Sequence, residues 1–269
     1  MARRQESVAI SADGDAWFLL NASPEIREQI ESFPPLWPRQ ARHSSIAGIV
    51  LTNGDLDHCL GLLSLRESQP IAIYATSAVR IGFTEGNVLY RTLERFDGQV
   101  TWRILSLGVS RVLGRDDSSL SITAFAVPGK RPIHLEGRGP PTDDDNVGLL
   151  IRDRTTNRTM AYVPAAATWT AALDRMLAEV DVVFFDGTFW SSAELLTAGV
   201  GAKRAEDMAH LPIGGPAGSL FQLRRLTAAR RILIHINNTN PLLRDDSPER
   251  AEATGAGIEI AFDGMEVVL

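Results

Sequence analysis

Ile49-Val50-Leu51-Thr52-Asn53-Gly54-Asp55-Leu56-Asp57-His58, followed closely by Gly61-Leu62-Leu63, is the stretch on which the reading of this chain turns. It begins as an apolar, β-branched run, which predicts a buried strand, and ends in short polar side chains around Gly54. A strand whose carboxyl end opens into a polar loop and then a helix gives functional side chains a rigid base. Asp57 and His58 supply an adjacent carboxylate and imidazole, both metal-ligand types. Asp57 also reads as a helix N-cap. Asp55 admits three roles: ligand, acceptor orienting an imidazole, or turn residue after Gly54.

Outward from this stretch, strands are expected at Val8–Ile10, Trp17–Leu20, Ala47–Thr52, Ile71–Ala75, Leu120–Val127, Val147–Arg152 and Thr159–Val163. Further strands are expected at Val180–Phe185, Arg231–Ile236, Ile258–Phe262 and Glu266–Leu269. The clearest helix runs from Thr168 to Val180, where Leu173, Met176, Leu177 and Val180 fall on one face. Two more are read at Pro24–Glu31, with Ser23 as N-cap, and at Asn87–Phe96, with Asn87 as cap. Strand-rich halves with helices between them fit two packed sheets under helical layers, or a doubly wound sheet. Pro128 to Asn146, rich in Gly, Pro, Arg and Asp, reads as a flap over a site or as a plain surface loop.

Composition narrows the function. The 269 residues are 44% hydrophobic and 22% charged, enough apolar material for a sizeable core. No run reaches the roughly 18 apolar residues of a membrane span, and Met1-Ala2-Arg3-Arg4 leads into polar sequence, so a cytoplasmic protein off the membrane is expected. Cys59 is the sole cysteine, which excludes an intramolecular disulfide and a thiolate-rich zinc site, and it reads as a small buried residue. A net charge of −6 argues against nucleic acid, and Arg224, Arg225, Arg230 and Arg231 read as a solvated helix face. His43 and His134 read as surface histidines.

The opening stretch resembles the HxHxDH motif of the metallo-β-lactamase superfamily, written here Asn53-x-Asp55-x-Asp57-His58. The resemblance implies a metallo-β-lactamase fold of the α/β class, a four-layer sandwich of two mixed sheets flanked by helices, formed by residues 1–269 as a single domain. It also implies that the leading histidines, replaced by Asn53 and Asp55, and a third histidine absent from Phe125–Lys130 would have served one metal. The bridging aspartate expected after Val163 reads as Pro164. The second metal's set survives as Asp57, His58 and the late His235 at the end of the apolar run Arg231–Ile234.

Further matches extend the resemblance to one family. Asn21-Ala22-Ser23-Pro24, Gly61–Glu67, Asp186-Gly187-Thr188, Met208-Ala209-His210, His235-Ile236-Asn237-Asn238-Thr239-Asn240-Pro241, Ser247–Ala251 and Phe262-Asp263-Gly264 are similar to the pyrroloquinoline quinone (PQQ) biosynthesis protein B family over nearly the whole chain. Two departures stand out. The family's first strand, glycine-rich loop and zinc-holding cysteines do not precede Ser7, which reads as an amino-terminally shortened chain with an exposed sheet edge. Its Met-Gly-His glycine is Ala209 here.

One aspartate and two histidines match the facial triad of non-haem iron(II) oxygenases, which leaves open positions for substrate and oxygen. The resemblance implies an Fe(II)-dependent hydroxylation of the tyrosine in a Glu-Tyr peptide cut from a precursor. Asp57, His58 and His235 would then hold the metal, and His210, Asp186 and Asp55 would be catalytic. Asn53, Thr188, Asn237, Asn238 and Asn240 would bind substrate; the late asparagines also read as tight-turn residues. Two other functions stay open: a carrier or transport-type binding protein for the quinone or its precursor, and a Zn(II)-dependent hydrolase. The expected partners are a small peptide or quinone precursor and other PQQ-biosynthesis proteins, with a homodimer open.

Overall fold

A computed structural model describes residues 4–66, 69–85, 87–137 and 139–269. Met1–Arg3, read above as the start of a polar terminus, and Glu67 of the Gly61–Glu67 motif lie outside the described residues. Among the described residues, strands form two sheets, of five and seven strands, with helices between them in sequence, as the fold expectation required. The chain divides into two compact units. The first takes residues up to Ala126, Arg131–Val147 and Arg152–Thr156; the second takes Val127–Lys130, Gly148–Ile151 and Asn157–Leu269.

In the first unit, β1 (Val8–Ile10), β2 (Trp17–Leu20), β3 (Ile46–Val50), β4 (Ile71–Ala75) and β5 (Val100–Ile104) lie side by side in that order. β1 is antiparallel to β2 and the others run parallel, with Ile49 opposite Ile73 and Val50 opposite Tyr74. Parallel strands are covered on their faces, which is why β3 and β4 read as nearly continuous apolar runs. Leu19, Ile49, Leu51, Leu62, Ile73 and Val79 form the centre of the core. β6 (Ser110–Val112) and β7 (Leu120–Ala126) form an antiparallel pair that belongs to the seven-stranded sheet and not to this one.

The helices of this unit are α1 (Ile26–Ser32), α2 (Leu56–Cys59) and α3 (Ser77–Thr84). After α2 the chain tightens into a 3-10 turn, Leu60–Ser64, whose Gly61 N–H donates to Ala22 O at 2.9 Å. A Cβ at Gly61 would stand 2.1 Å from Ser23 O, so only glycine lets this turn lie against the end of β2. Ala22 N–H in turn donates to His58 O at 2.7 Å. That backbone pairing fixes where the His58 ring starts.

The seven-stranded sheet continues with β8 (Val147–Asp153), of which Gly148–Ile151 belongs to the second unit, and then β9 (Thr159–Val163), β10 (Val182–Asp186), β11 (Arg230–Ile234) and β12 (Glu259–Ile260), neighbours in sequence order. β9 to β12 are parallel, with Val163 opposite Phe185 and Asp186 opposite Ile234. The carboxyl ends of β10 and β11 therefore come level, and Asp186 and His235 emerge beside each other. The helices are α4 (Ala171–Leu177), α5 (Glu194–Thr197), α6 (Ser219–Leu223) and α7 (Pro248–Gly255).

Local expectations need correction where capping was misplaced. The helix expected from Thr168 begins later, because Thr170 caps it by accepting Leu173 N–H at 3.1 Å. Ser23 caps nothing: its hydroxyl donates to Gln29 Oε1 at 3.0 Å, and α1 starts beyond Glu25. Asn87 does cap, but the element it opens is a 3-10 turn, Val88–Thr92, and not a helix to Phe96. Glu266–Leu269 forms no strand, and Val268 is 93% exposed, since a short apolar run without a neighbouring strand has nothing to bury against.

The arginine cluster is not a helix face either. Arg230 lies on β11, where it makes a bidentate pair with Glu259 at 2.8 and 2.7 Å. Within the stretch read as a flap or loop, Arg131 donates to Gly139 O at 3.0 Å and pairs with Asp145 at 3.4 Å. Asp145 also accepts Thr142 N–H at 2.6 Å. The segment is tied by its own charges.

Candidate functional site

The second unit gathers Asp186, Thr188, His210 and His235. Asp186 ends β10 fully buried, among donors from several elements. Its Oδ2 accepts Ala166 N–H at 2.9 Å and meets His210 Nδ1 at 2.7 Å. Its Oδ1 accepts Thr188 N–H at 3.0 Å and the Thr188 hydroxyl at 2.6 Å. A carboxylate offers about four lone-pair positions, and these contacts take them all. Burial is the largest influence on this carboxyl and pushes it up. The charge and hydrogen bond of His210, the charge of His235 and the Thr188 hydroxyl outweigh it and hold the group below its ordinary 3.8.

His210 and His235 are half-buried and stack at 5.4 Å between ring centroids, tilted by 21°. Phe189 meets the His210 ring edge-on at 5.9 Å. Thr188 Oγ1 lies 2.6 Å from His235 Nδ1 and 3.1 Å from His210 Nδ1. Ligand atoms of Asp186, His210 and His235 lie within 4.8 Å of one another, near enough for one ion. The donor set argues for a division of labour: Asp186 is spent on hydrogen bonds, and the imidazoles carry the ligating or proton-handling nitrogens. Two backbone positions are left-handed here, His235 with φ 59° and Ala209 with φ 62°. An alanine in that region costs about 1–2 kcal/mol that glycine does not.

In the first unit, His58 is buried in α2 at 2% exposure. Asn21 Oδ1 accepts Thr52 N–H at 3.0 Å, which fixes the amide and turns its Nδ2 toward His58 Nδ1 at 2.8 Å. Thr52 Oγ1 also lies 3.1 Å from Nδ1, and buried Glu6 is 3.8 Å away. On the other side of the ring, Nε2 lies 3.8 Å from Asp57 Oδ2. An ion with bonds of about 2.0–2.2 Å can span that separation, so the pair fits a metal.

The other expected residues divide by what they touch. Asp55, the N-cap of α2, makes no side-chain cap bond, and Asp57 sits in the first turn, so the capping position belongs to Asp55. Asn53 is buried and its amide is committed: Oδ1 accepts Asp55 N–H at 3.0 Å and Nδ2 donates to Asn146 at 3.1 Å. Asn240 Nδ2 donates to Gly187 O at 2.9 Å while Oδ1 accepts Leu242 N–H at 3.0 Å, so it braces the turn after His235. Asn237 donates to Thr239, Thr239 donates to Glu194, and Asn238 is exposed. Burial pushes the Glu194 carboxyl up, against the pull of Thr239 and the Trp190 and Ser191 backbone.

Sequence reasoning assigns no site role to Asn21, Thr52 or Glu6. Asn21 carries a signal, since it opens the Asn21-Ala22-Ser23-Pro24 match, and its φ of 62° suits asparagine. Cys59 is 1% exposed, with its thiol pushed up to about 12 by burial, Asp55 and Asp57, as suits the small buried residue expected. His134 is exposed and His43 half-buried, and among the described residues neither joins a metal-competent cluster.

A family model described as the beta-lactamase superfamily domain matches residues 16–236, which defines the class of the fold. A coenzyme PQQ synthesis protein B from Stutzerimonas stutzeri is 42% identical over 99% of this chain and 88% of its own length. The crystal structure of Zn2+-bound PqqB from Methylobacterium extorquens superposes with a TM-score of 0.91 at 39% identity, covering 99% of this chain and 88% of that one. A diphosphatase of the PhnP family shares the fold at a TM-score of 0.65 and 19% identity, over 98% and 83% of the chains. The chain belongs to the coenzyme PQQ synthesis protein B family of the β-lactamase superfamily.

Proposed function

We propose that this chain acts in PQQ biosynthesis as a metal-dependent enzyme, residues 1–269 forming one metallo-β-lactamase-like domain. The finer reading is an Fe(II)-dependent oxygenase that hydroxylates the tyrosine of a precursor-derived Glu-Tyr peptide. The observation that carries it is the retention of Asp57, His58 and His235 where the superfamily motif has otherwise lost its histidines, in a chain about 40% identical to PQQ synthesis proteins. A relative described as Zn2+-bound supports metal binding. In this reading Asp57, His58 and His235 are the ligands.

Iron(II) when bound would supply the activation of oxygen, one atom going to the ring and the other to water with two electrons from an added reductant. The protein's share is positioning and proton handling. His210 receives a hydrogen-bonded carboxylate at Nδ1, which leaves Nε2 to take a proton from a phenol or ring carbon. Asp186 keeps that ring oriented, and Asp55 stands at the N-cap of α2, ahead of Asp57 in its first turn. Asn53, Thr188, Asn237, Asn238 and Asn240 are the polar residues through which the reading has substrate held. The described helices include none long and apolar enough to cross a membrane, and the reading keeps the protein cytoplasmic.

Anaerobic reconstitution with Fe(II), then mass spectrometry of a Glu-Tyr peptide after oxygen and reductant are admitted, tests it. The reading requires a gain of one or two oxygen atoms that disappears in His58→Ala, Asp57→Ala and His235→Ala, together with loss of stoichiometric metal in each. Binding of the quinone without turnover would establish the carrier instead. Turnover of an ester or lactam with zinc would establish the hydrolase.

A further inference from the structure

Thr188 stands between three groups and has one hydroxyl proton to give. Asp186 Oδ1 at 2.6 Å can only accept, so a hydroxyl proton directed elsewhere would leave two oxygens facing each other lone pair to lone pair. With the proton on the carboxylate side, Oγ1 presents only lone pairs to His235 Nδ1, also at 2.6 Å. A contact that short between two acceptors is repulsive, so Nδ1 of His235 must bring the proton. His210 is settled separately: its Nδ1 is nearer to Asp186 Oδ2, at 2.7 Å, than to Thr188, at 3.1 Å, and donates to the carboxylate.

We propose that Thr188 is a positioning residue that relays Asp186 to His235, fixing the His235 ring as its Nδ1–H tautomer with Nε2 as the unprotonated nitrogen. One buried carboxylate thereby orients two imidazoles, His210 directly and His235 through a hydroxyl. The sequence alone suggests a substrate contact for Thr188; the geometry gives it the tautomer. A ring whose tautomer is set in advance loses less on ligating a metal, and partners that orient metal-bound histidines typically change affinity by about 10–100-fold when removed. The tautomer itself is a consequence of hydrogen bonding alone; only the effect on metal binding rests on the proposed reading of His235 as a ligand.

The test is long-range 1H–15N correlation on metal-free, full-length protein with 15N-labelled histidine, the His235 ring identified by its loss in His235→Gln. The wild type is expected to show the His235 proton on Nδ1. Thr188→Val, which keeps the shape and removes the hydroxyl, is expected to move His235 largely to Nε2–H, whereas Thr188→Ser restores the wild-type pattern. Zn2+ titration is expected to show about 10–100-fold weaker binding in Thr188→Val and near wild-type binding in Thr188→Ser. A wild-type His235 protonated at Nε2, or an unchanged tautomer in Thr188→Val, overturns the proposal, and the wild-type spectrum decides even if the valine variant does not fold. A tautomer shift with unchanged zinc affinity leaves the relay standing and removes His235 from the ligand set.

Discussion

His58 in the first unit and His235 in the second are both gripped at Nδ1 by short contacts, yet the grips have opposite sense. Around His58 the partner is an amide: Asn21 Nδ2 donates at 2.8 Å, so Nδ1 accepts and the neutral ring carries its proton on Nε2, the nitrogen facing Asp57. Around His235 the partner is a hydroxyl already committed to a carboxylate, so Nδ1 donates. The pair shows that the identity of a histidine does not decide which nitrogen is available; whether its Nδ1 partner presents a proton or a lone pair does. An ion meeting Nε2 of His58 has a proton to displace, and one meeting Nε2 of His235 does not.

Removing the far end of the second chain should have the largest effect. Asp186→Asn exchanges a lone-pair set for a donor that faces other donors, and is expected to cost about 3–5 kcal/mol, read from denaturant midpoints. The same substitution should change the acid limb. Because the folded carboxyl lies below its ordinary 3.8, its contribution is whole at neutral pH and is lost as pH falls through the depressed value. The wild type should therefore lose stability more steeply than Asp186→Asn at pH values under about 4. Equal acid slopes would show that Asp186 holds no such charge.

Asn21→Ala breaks the first chain and should cost somewhat less, about 2–4 kcal/mol, from the lost amide bonds plus an alanine left at φ 62°. The comparison sharpens if His58, followed by nitrogen NMR, then gives up its single tautomer while His235 keeps its own. The smallest effect is a gain. Ala209→Gly removes left-handed strain beside His210 and should stabilise by about 1 kcal/mol without changing the Asp186 contacts. Destabilisation by this variant would mean that the methyl group packs well enough to repay its backbone.

The sequence makes the supports of these chains visible and leaves their wiring invisible. The apolar runs of β3, β10 and β11, each ending in a polar residue, announce where Asp57, His58, Asp186 and His235 emerge, because burial of parallel strands imposes that pattern. Asn21 and Thr52 stay hidden to that reading, since a hydrogen bond across 31 residues leaves no periodicity. Thr188 reads as touching substrate because a threonine near a polar cluster looks the same whether its hydroxyl points at ligand or at neighbours. The asparagines after His235 show the converse: residue types suited to binding are equally suited to bracing turns, and Asn240 braces one. The boundary fails at Ser23 for a local reason, its hydroxyl being taken by Gln29, whereas Asn87 caps as read and only the length of the element it opens is misjudged.

The closed position of Cys59 has a practical use. With its thiol pushed up to about 12 by burial and 1% exposed, the only native cysteine is expected to stay silent toward maleimide and methanethiosulfonate reagents near neutral pH, which labelling of the wild type checks. Any cysteine introduced on the surface becomes the sole labelled site without first engineering a cysteine-free background. Paired spin labels, one in each unit, can then report distances in a chain whose own chemistry is left untouched.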